Sequence, residues 1–187
     1  MLKTLVVEEP MVYDASQLQP HWIYRNYDLL GDAAIAFRGE ANVNLENMID
    51  LSDVKHKEPI YSPDMLHFMI EHFHTNLELA IYQQRMFMVA IKDELEQYEI
   101  PVVRMGSNLY LHRGKLSVSV ATVSNISSLF HIGLNIDTEG TPLKTVGLSE
   151  LNIKDYSSFA AAVMLRYQRD LESIEEARCK VKGIRPE

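Results

Sequence analysis

Alternating apolar and polar residues predict two neighbouring strands in the second half of the chain. Every second residue from 116 to 120 is apolar, and the same alternation returns from 130 to 136. This period of two is typical of pleated strands that bury one face. The polar segment 124–127 separates the two stretches and predicts that they form an antiparallel hairpin.

The other faces of these two strands predict the floor of a ligand cleft. Their side chains are small, polar or charged, and small side chains leave room for a molecule to lie against the backbone. Asparagine and aspartate are also poor strand formers, so their presence in a strand calls for a reason. The predicted floor consists of Lys115, Ser117, Ser119 and Ala121 from the first strand and His131, Gly133, Asn135 and Asp137 from the second. The alternative is the ordinary solvent-facing side of a hairpin.

Three segments carry a resemblance to biotin-protein ligases and lipoate-protein ligases. Residues 108–117, NLYLHRGKLS, resemble the ligase pattern of Asn-Asp, a short hairpin, and a lysine followed by an aliphatic residue, any residue and glycine. Residues 131–137, HIGLNID, are similar to the biotin ligase strand G-x-G-x-N-I/V-N at a similar distance from the lysine. Residues 142–151, PLKTVGLSEL, are similar to the T-S-L-x-E-L connection into the C-terminal helices. The whole chain is identified as a member of domain of unknown function family 366, which resembles those ligases in fold.

The resemblance implies an adenylate-forming ligase or acyltransferase, in which ATP and a small biotin- or lipoate-like carboxylic acid meet over strands 115–137. Lys115 is the implied catalytic residue, because a fixed ammonium group offsets the negative charge that builds when a carboxylate attacks the α-phosphate. The implied ligand-binding residues are Asn108, Ser117, Ser119, His131, Gly133, Asn135, Asp137 and Arg38. The cofactor stays unassigned, with ATP and Mg²⁺ as the candidates. Lys115 as a solvated lysine of the hairpin, and Asp137 as a turn residue, are the alternatives.

Departures from the ligase pattern leave other functions open. Leu109 stands where the ligases have aspartate, Val118 stands where they have the glycine after the lysine, and His131 replaces the first glycine of the later strand. The glycine- and arginine-rich ligase loop is matched only by Arg38-Gly39. Because a fold does not fix a function, a non-catalytic small-molecule-binding module and a structural or interaction protein with a vestigial cleft are the alternatives.

The remaining pattern predicts one α+β domain over residues 1–187, with a mostly antiparallel mixed sheet and helices packed on one side. The resemblance implies the class II synthetase-like fold of the biotin and lipoate ligases. Further strands are predicted at 2–7, 32–37 and 65–74, a short helix at 20–30, and a long, partly ordered connection at 40–63. A C-terminal helical segment is expected to begin at Asp155 or Ser157.

A long helix is predicted from Thr75 to Tyr98, because Thr75 and Glu78 have the spacing of a capping box. Its predicted buried stripe contains Leu77, Ile81, Phe87, Met88, Ile91 and Leu95. Gln84 falls inside this stripe, and we interpret it either as a buried amide bonded to backbone or as a ligand contact. Exposed apolar positions on the long helices are compatible with a homodimer, which the sequence does not decide.

Composition narrows the class of protein. The net charge of −8 argues against a non-specific nucleic-acid surface, which needs a basic stripe. The single cysteine, Cys179, excludes an internal disulfide and a multi-thiolate metal site, and it fits a reducing compartment. The first ten residues hold too short an apolar run for a signal peptide, and no stretch approaches the roughly 18 apolar residues of a membrane span. We therefore predict a soluble cytoplasmic protein with neither nucleic-acid nor membrane partners.

A group of histidines raises a metal hypothesis. His67, His72 and His74 lie with Glu71 in one predicted strand. His72 and His74 would share one face of it while Glu71 points to the other, so a site would need a third ligand from elsewhere. The alternative is partly buried histidines that hydrogen-bond to nearby backbone, and no metal ligand is assigned.

Overall fold

The computed structural model describes residues 1–141 and 144–184, so two residues of the PLKTVGLSEL segment and the last three of the predicted domain lie outside it. The strands are β1 (Lys3–Val6), β2 (Ala33–Val43), β3 (Ile60–His72), β4 (Val103–Met105), β5 (Asn108–Leu111), β6 (Gly114–Lys115), β7 (Ser117–Val123) and β8 (Ser128–Asp137). The α-helices are α1 (Trp22–Tyr27), α2 (Leu51–His56), α3 (Leu77–Gln97) and α4 (Tyr156–Lys180).

The main sheet has the strand order β1-β2-β3-β8-β7, and a small second sheet contains β4, β5 and β6. Strand β1 runs parallel to β2, whereas the other neighbours in the main sheet are antiparallel. The predicted hairpin is confirmed, because β7 and β8 pair around residues 124–127. The predicted α+β class with a mostly antiparallel mixed sheet is therefore confirmed.

Helices α3 and α4 cover one face of the main sheet, as predicted. The core on this helix side includes Phe68, Phe87, Phe130, Phe159, Val163 and Tyr167. Asp155 caps α4 by accepting a 2.9 Å hydrogen bond from the backbone N–H of Ser158, which satisfies one of the free donors at the helix start. A smaller apolar cluster on the opposite face packs α1 and the N-terminal segment against the sheet. That opposite face is where the sheet meets a cavity.

The connection between β2 and β3 is shorter and more ordered than predicted. Strand β2 continues to Val43 and β3 begins at Ile60, so only residues 44–59 join them. Helix α2 lies within this connection, and Asp50 caps it by accepting hydrogen bonds from two backbone N–H groups. The two strands extend because their pairing runs on past an irregularity between Gly39 and Ala41.

Helix α3 corrects part of the predicted stripe. The helix is capped by Asn76, not by Thr75, and the prediction that Leu77 and Ile81 are buried was wrong, because they are 46% and 37% exposed. The buried stripe instead includes two glutamines at this end of the helix. Gln84 donates to the hydroxyl of Ser119 at 2.9 Å, so this amide is bonded to a side chain and not to backbone. Polar contacts thus replace the apolar ones expected there.

No helix in the described part of the chain is long and apolar enough to cross a membrane.

Candidate functional site

Strand β7 presents the opposite face to the one predicted. Its register pairs Ser119 with Ile132 and Val120 with His131, so the serines lie on the helix side with Ile132. Leu116 belongs to neither β6 nor β7 and is fully buried in the helix-side core. The alternation shifts by one residue at this break, and a shift of one residue exchanges the two faces of a strand. The prediction that Ser117, Ser119 and Ala121 share a face with His131 was therefore wrong.

The two serines of β7 serve the junction between the sheets. Ser117 accepts a hydrogen bond from the backbone N–H of Leu109 at 2.8 Å. Ser119 donates to the backbone carbonyl of Ser107 at 2.7 Å while it accepts from Gln84. Each hydroxyl thus has a partner within the protein, as buried polar groups normally do.

A cavity of about 170 Å³ lies on the face of the main sheet that the long helices leave free. We call it the sheet cavity. The connection 44–59 and the N-terminal segment form its other walls. Residues that line it include Tyr13, Met48, Ile49, Asp50, Asp53, Glu58, Met65, Asn108, Lys115, Val118, Ser119, Val120, His131, Asn135 and Thr145. Five of the candidate residues, Lys115, Asn108, Ser119, His131 and Asn135, thus line one cavity, although the hydroxyl of Ser119 is bonded on the helix side. Their roles in binding stay a prediction.

Lys115 is held by its backbone, and its ammonium group has no hydrogen bond or ion pair to the part of the chain that the structure describes. Its N–H donates to the carbonyl of Lys144 at 3.0 Å, and its carbonyl accepts from Nδ2 of Asn135 at 3.2 Å. Among the described residues that line the sheet cavity, Lys115 is the only lysine or arginine. Asn135 and Lys115 are therefore neighbours in the cavity lining.

Carboxylates of the connection 44–59 face this lysine. The pKa of Asp53 is raised by its burial and by the negative charge of Asp50, and the charge of Lys115 partly offsets both effects. Lys115 and Asp53 both line the cavity, on the sheet and on the connection 44–59 respectively. A bound molecule would therefore meet charges of both signs in the cavity lining.

Four of the implied ligand-binding residues lie outside the cavity lining. Ser117 bonds to Leu109, as described above. Asp137 accepts from the backbone N–H of Glu139 at 3.1 Å and is exposed, so it behaves as the turn residue of the alternative interpretation. At Gly133 the space of a side chain is filled by Met65, whose Cε and Sδ lie 2.9 and 3.1 Å from the position of a Cβ.

Arg38 lies on the helix side of the sheet, where it pairs with Leu66 across β2 and β3. Its guanidinium forms an ion pair with Asp64, with Nε donating to the two carboxylate oxygens at 2.8 and 3.0 Å. It also stands 5.3 Å from the centre of the Tyr156 ring, a cation–π contact. The structure therefore places Arg38 across the sheet from Lys115.

A buried pair of histidines forms part of the cavity floor. Nε2 of His67 lies 3.0 Å from the carbonyl oxygen of Gly39, and its Nδ1 lies 3.0 Å from Nε2 of His131. The ring of Tyr13 stacks on His131 with a centroid distance of 3.7 Å. Burial lowers the pKa of His67 to about 4 and also lowers that of His131, so both rings are neutral near pH 7. The pairing was not predicted, although both histidines alternate with core residues in strands that proved to be neighbours.

The remaining members of the histidine group are separated by the sheet. His72 faces the helices, between the Asp32 carboxylate at 2.8 Å and the Tyr167 hydroxyl at 2.9 Å. Glu71 faces the other way and accepts from Ser127 at 2.6 Å and from the backbone N–H of His21. Among the described residues, no cluster of three or more histidine, cysteine, aspartate or glutamate side chains has the arrangement of a metal site. We assign these side chains to structural hydrogen bonds.

Comparison with known sequences identifies close relatives. The sequence profile of a family described as domain of unknown function (DUF366) matches residues 2–182. An uncharacterised protein of Methanocaldococcus jannaschii is 32% identical over 180 residues, which span 93% of this chain and 81% of that protein. A solved structure of a protein of unknown function from Pyrococcus horikoshi shares 34% identity, with a TM-score of 0.93 over 99% of this chain and all of the other.

More distant solved structures share the fold. A bi-partite lipoate protein ligase from Thermoplasma acidophilum is 11% identical, with a TM-score of 0.62 over 91% of this chain and 83% of the ligase. The biotin protein ligase from Aquifex aeolicus in complex with biotin and ATP is 16% identical, with a TM-score of 0.59 over 91% of this chain and 72% of that one. At these identities the likeness shows a biotin/lipoate ligase-like fold and nothing finer.

Proposed function

The chain belongs to the DUF366 family, and we propose that it binds a small carboxylic acid in the sheet cavity. The observation that carries this proposal is the position of Lys115, the only lysine or arginine among the described lining residues. An ammonium group at the edge of a partly apolar cavity is a partner for a carboxylate, since charge-assisted hydrogen bonds are stronger than neutral ones. The ligase-like fold supports the same class of ligand.

The rest of the lining suits a molecule with an apolar body. Met48, Ile49, Met65, Val118 and Val120 contribute apolar walls. Small-molecule sites are typically apolar with a few placed polar groups that fix orientation. In this arrangement the carboxylate lies near Lys115 and Asn135, and the apolar body extends over the sheet.

The ligase resemblance implies ATP with Mg²⁺ as well, and the described residues do not fit that group. The described lining residues include one cationic side chain, Lys115, and three carboxylates, Asp50, Asp53 and Glu58. A triphosphate is a polyanion that proteins hold with several cations, backbone N–H groups and bound Mg²⁺. Asp50 is already engaged as the cap of α2. We therefore propose a binding module that acts without a nucleotide.

A thermal-shift screen tests the proposal with octanoate, lipoate, biotin and amino acids, each with and without ATP and Mg²⁺. A ligand that binds only the folded state at ten times its Kd adds about 1.4 kcal/mol of stability. For a chain of this length the expected rise in Tm is roughly 3–6 °C. Neutral octanamide serves as the control for octanoate and is expected to give a much smaller rise, since it lacks the charge that pairs with Lys115.

The screen separates the candidate functions. A rise with a carboxylic acid alone supports the binding module. A rise that requires ATP and an acid together would instead support an adenylate-forming ligase. No rise with any acid, at concentrations that saturate a millimolar site, would contradict the proposal and leave a structural or interaction protein.

A further inference from the structure

The histidine pair on the cavity floor has one defined arrangement of protons. A carbonyl oxygen only accepts hydrogen bonds, so Nε2 of His67 must carry the proton that reaches the carbonyl of Gly39 at 3.0 Å. In a neutral ring the other nitrogen is then an acceptor. Nδ1 of His67 therefore accepts from Nε2–H of His131 at 3.0 Å, which leaves Nδ1 of His131 without a proton.

The free nitrogen of His131 is open to the cavity. Among the described residues, the only fully enclosed side-chain nitrogen or oxygen without a hydrogen-bond partner is Nε of Arg166. Nδ1 of His131 also lacks a hydrogen-bond partner among the described residues, yet it does not belong to the enclosed atoms. It is therefore accessible, and the ring lines the sheet cavity. The His131 side chain is only 2% exposed, so this acceptor is held in a fixed position inside a nearly closed environment.

The backbone fixes this arrangement. Gly39 lies beside the irregularity in β2, where a Cβ would collide with the main-chain carbonyl of Met11. The carbonyl that orients His67 therefore belongs to a closely packed strand and not to a mobile side chain. Tyr13, stacked on His131, prevents the ring from turning over.

We propose that the sheet cavity selects a carboxylic acid that carries a hydrogen-bond donor, an O–H or N–H group, at a distance from its carboxylate. This inference rests on the proposed function. Asn135 follows His131 by four positions in β8, so the Cα atoms of the two residues lie roughly 13 Å apart along the strand, and the two ends of the ligand are expected at a similar separation. Hydroxy acids, amino acids and acids with an amide or ureido group fit this description, whereas plain fatty acids lack the donor.

The remaining charges of the lining agree with this selection. Apart from Lys115, the charged side chains among the described lining residues are the carboxylates Asp50, Asp53 and Glu58, which also accept hydrogen bonds. A buried acceptor that meets an alkyl chain loses its hydrogen bond to water and gains none, which disfavours the plain acid. His131 is thus a specificity-determining residue in this proposal.

Isothermal titration with matched pairs of acids tests the inference. Octanoate is compared with 7-hydroxyheptanoate, and decanoate with 9-hydroxynonanoate, because each pair exchanges a terminal methyl for a hydroxyl at equal length. The hydroxy acid of the length that fits is expected to bind roughly three- to tenfold more tightly, the worth of one hydrogen bond to a neutral acceptor. His131→Phe keeps an aromatic ring against Tyr13 but removes the acceptor. This variant is expected to bind the plain fatty acid more tightly than the hydroxy acid of equal length. His56→Phe, which makes the same substitution at an exposed position of α2 outside the cavity lining, is the control and should retain the preference for the hydroxy acid.

Nuclear magnetic resonance of the unsubstituted protein gives a test that needs no variant. Long-range proton–nitrogen correlation spectra are expected to show His67 and His131 as neutral Nε2–H tautomers, and the Nδ1 signal of His131 is expected to move when the hydroxy acid binds. A proton on Nδ1 of His131, or equal affinity for both acids of every pair, would overturn the inference while leaving the carboxylate site intact. Binding of no acid at all would overturn the proposed function and this inference together.

Discussion

Replacing Lys115 with alanine is expected to weaken the binding of a small carboxylate by roughly a hundredfold. Lys115 is half-buried, and a bound acid would enclose the pair of charges. Removing one partner of such an enclosed pair costs about 2–5 kcal/mol, and roughly 2.8 kcal/mol corresponds to a hundredfold. The free energy of unfolding should change little, because the structural bonds of Lys115 come from its backbone N–H and carbonyl, which alanine retains. Isothermal titration measures the affinity and urea denaturation the stability.

Lys144→Ala is the matched control for this variant. Lys144 is exposed and lies outside the cavity lining, and its backbone carbonyl accepts a hydrogen bond from Lys115. Its substitution by alanine therefore changes the net charge by the same amount at a nearby position. Its affinity for the acid is expected to match that of the unsubstituted protein. If Lys115→Ala also binds every acid as tightly as the unsubstituted protein, Lys115 is a surface lysine and the carboxylate site is excluded.

Lowering the pH from 7 to 5 is expected to remove at least about 2 kcal/mol from the free energy of unfolding. Burial lowers the pKa of His67 from 6.5 to about 4. Between these two pH values the unfolded chain binds a proton on this residue and the folded chain does not. Stability from this group is therefore complete above pH 6.5 and is lost as the pH falls towards 4. The lowered pKa of His131 adds to the loss in the same direction.

The double variant His67→Phe, His131→Phe removes both titrating rings and tests this origin. Its free energy of unfolding at pH 7 is expected to be lower, because the carbonyl of Gly39 loses its partner. The informative quantity is the slope of stability against pH, measured by urea denaturation, which should become flatter between pH 7 and 5. His56→Ala, at an exposed position of α2, should leave the slope unchanged. An unchanged slope in the double variant would show that other groups cause the acid sensitivity.

Local sequence patterns predicted most of the elements but not the faces they present. The hairpin turn at 124–127 and the cap at Asp155 follow from nearest neighbours in the chain, and both were found. The one-residue break at Leu116 has no signature in the alternation, since leucine fits either face. Because of this break, Ser117 and Ser119 lie on the face of the sheet opposite to the predicted one. Pattern reasoning therefore succeeds where a few consecutive residues decide the structure.

The candidate site depends on pairings that are distant in the sequence. Lys115 and Asn135 could be placed together because the two strands are consecutive and resemble a known arrangement. The bond between His67 and His131 joins residues 64 positions apart and required the register of β3 against β8. Arg38 was assigned to the ligand on a two-residue match, whereas its pairing with Asp64 fixes it on the other side of the sheet. Only tertiary structure supplies such information.

The contact between Met65 and Gly133 bears on how the cavity accommodates molecules of different shape. A thioether chain fills the gap that the glycine leaves in the sheet, and methionine is unbranched, with three rotatable bonds and a polarisable sulfur. The floor of the cavity can therefore deepen by rotation of one side chain while the hydrogen bonds between β3 and β8 stay intact. Gly133 leaves space beside the strand, and the Met65 side chain fills it in this conformation. A change of Met65 rotamer would make this space accessible to a ligand with a bulkier ring.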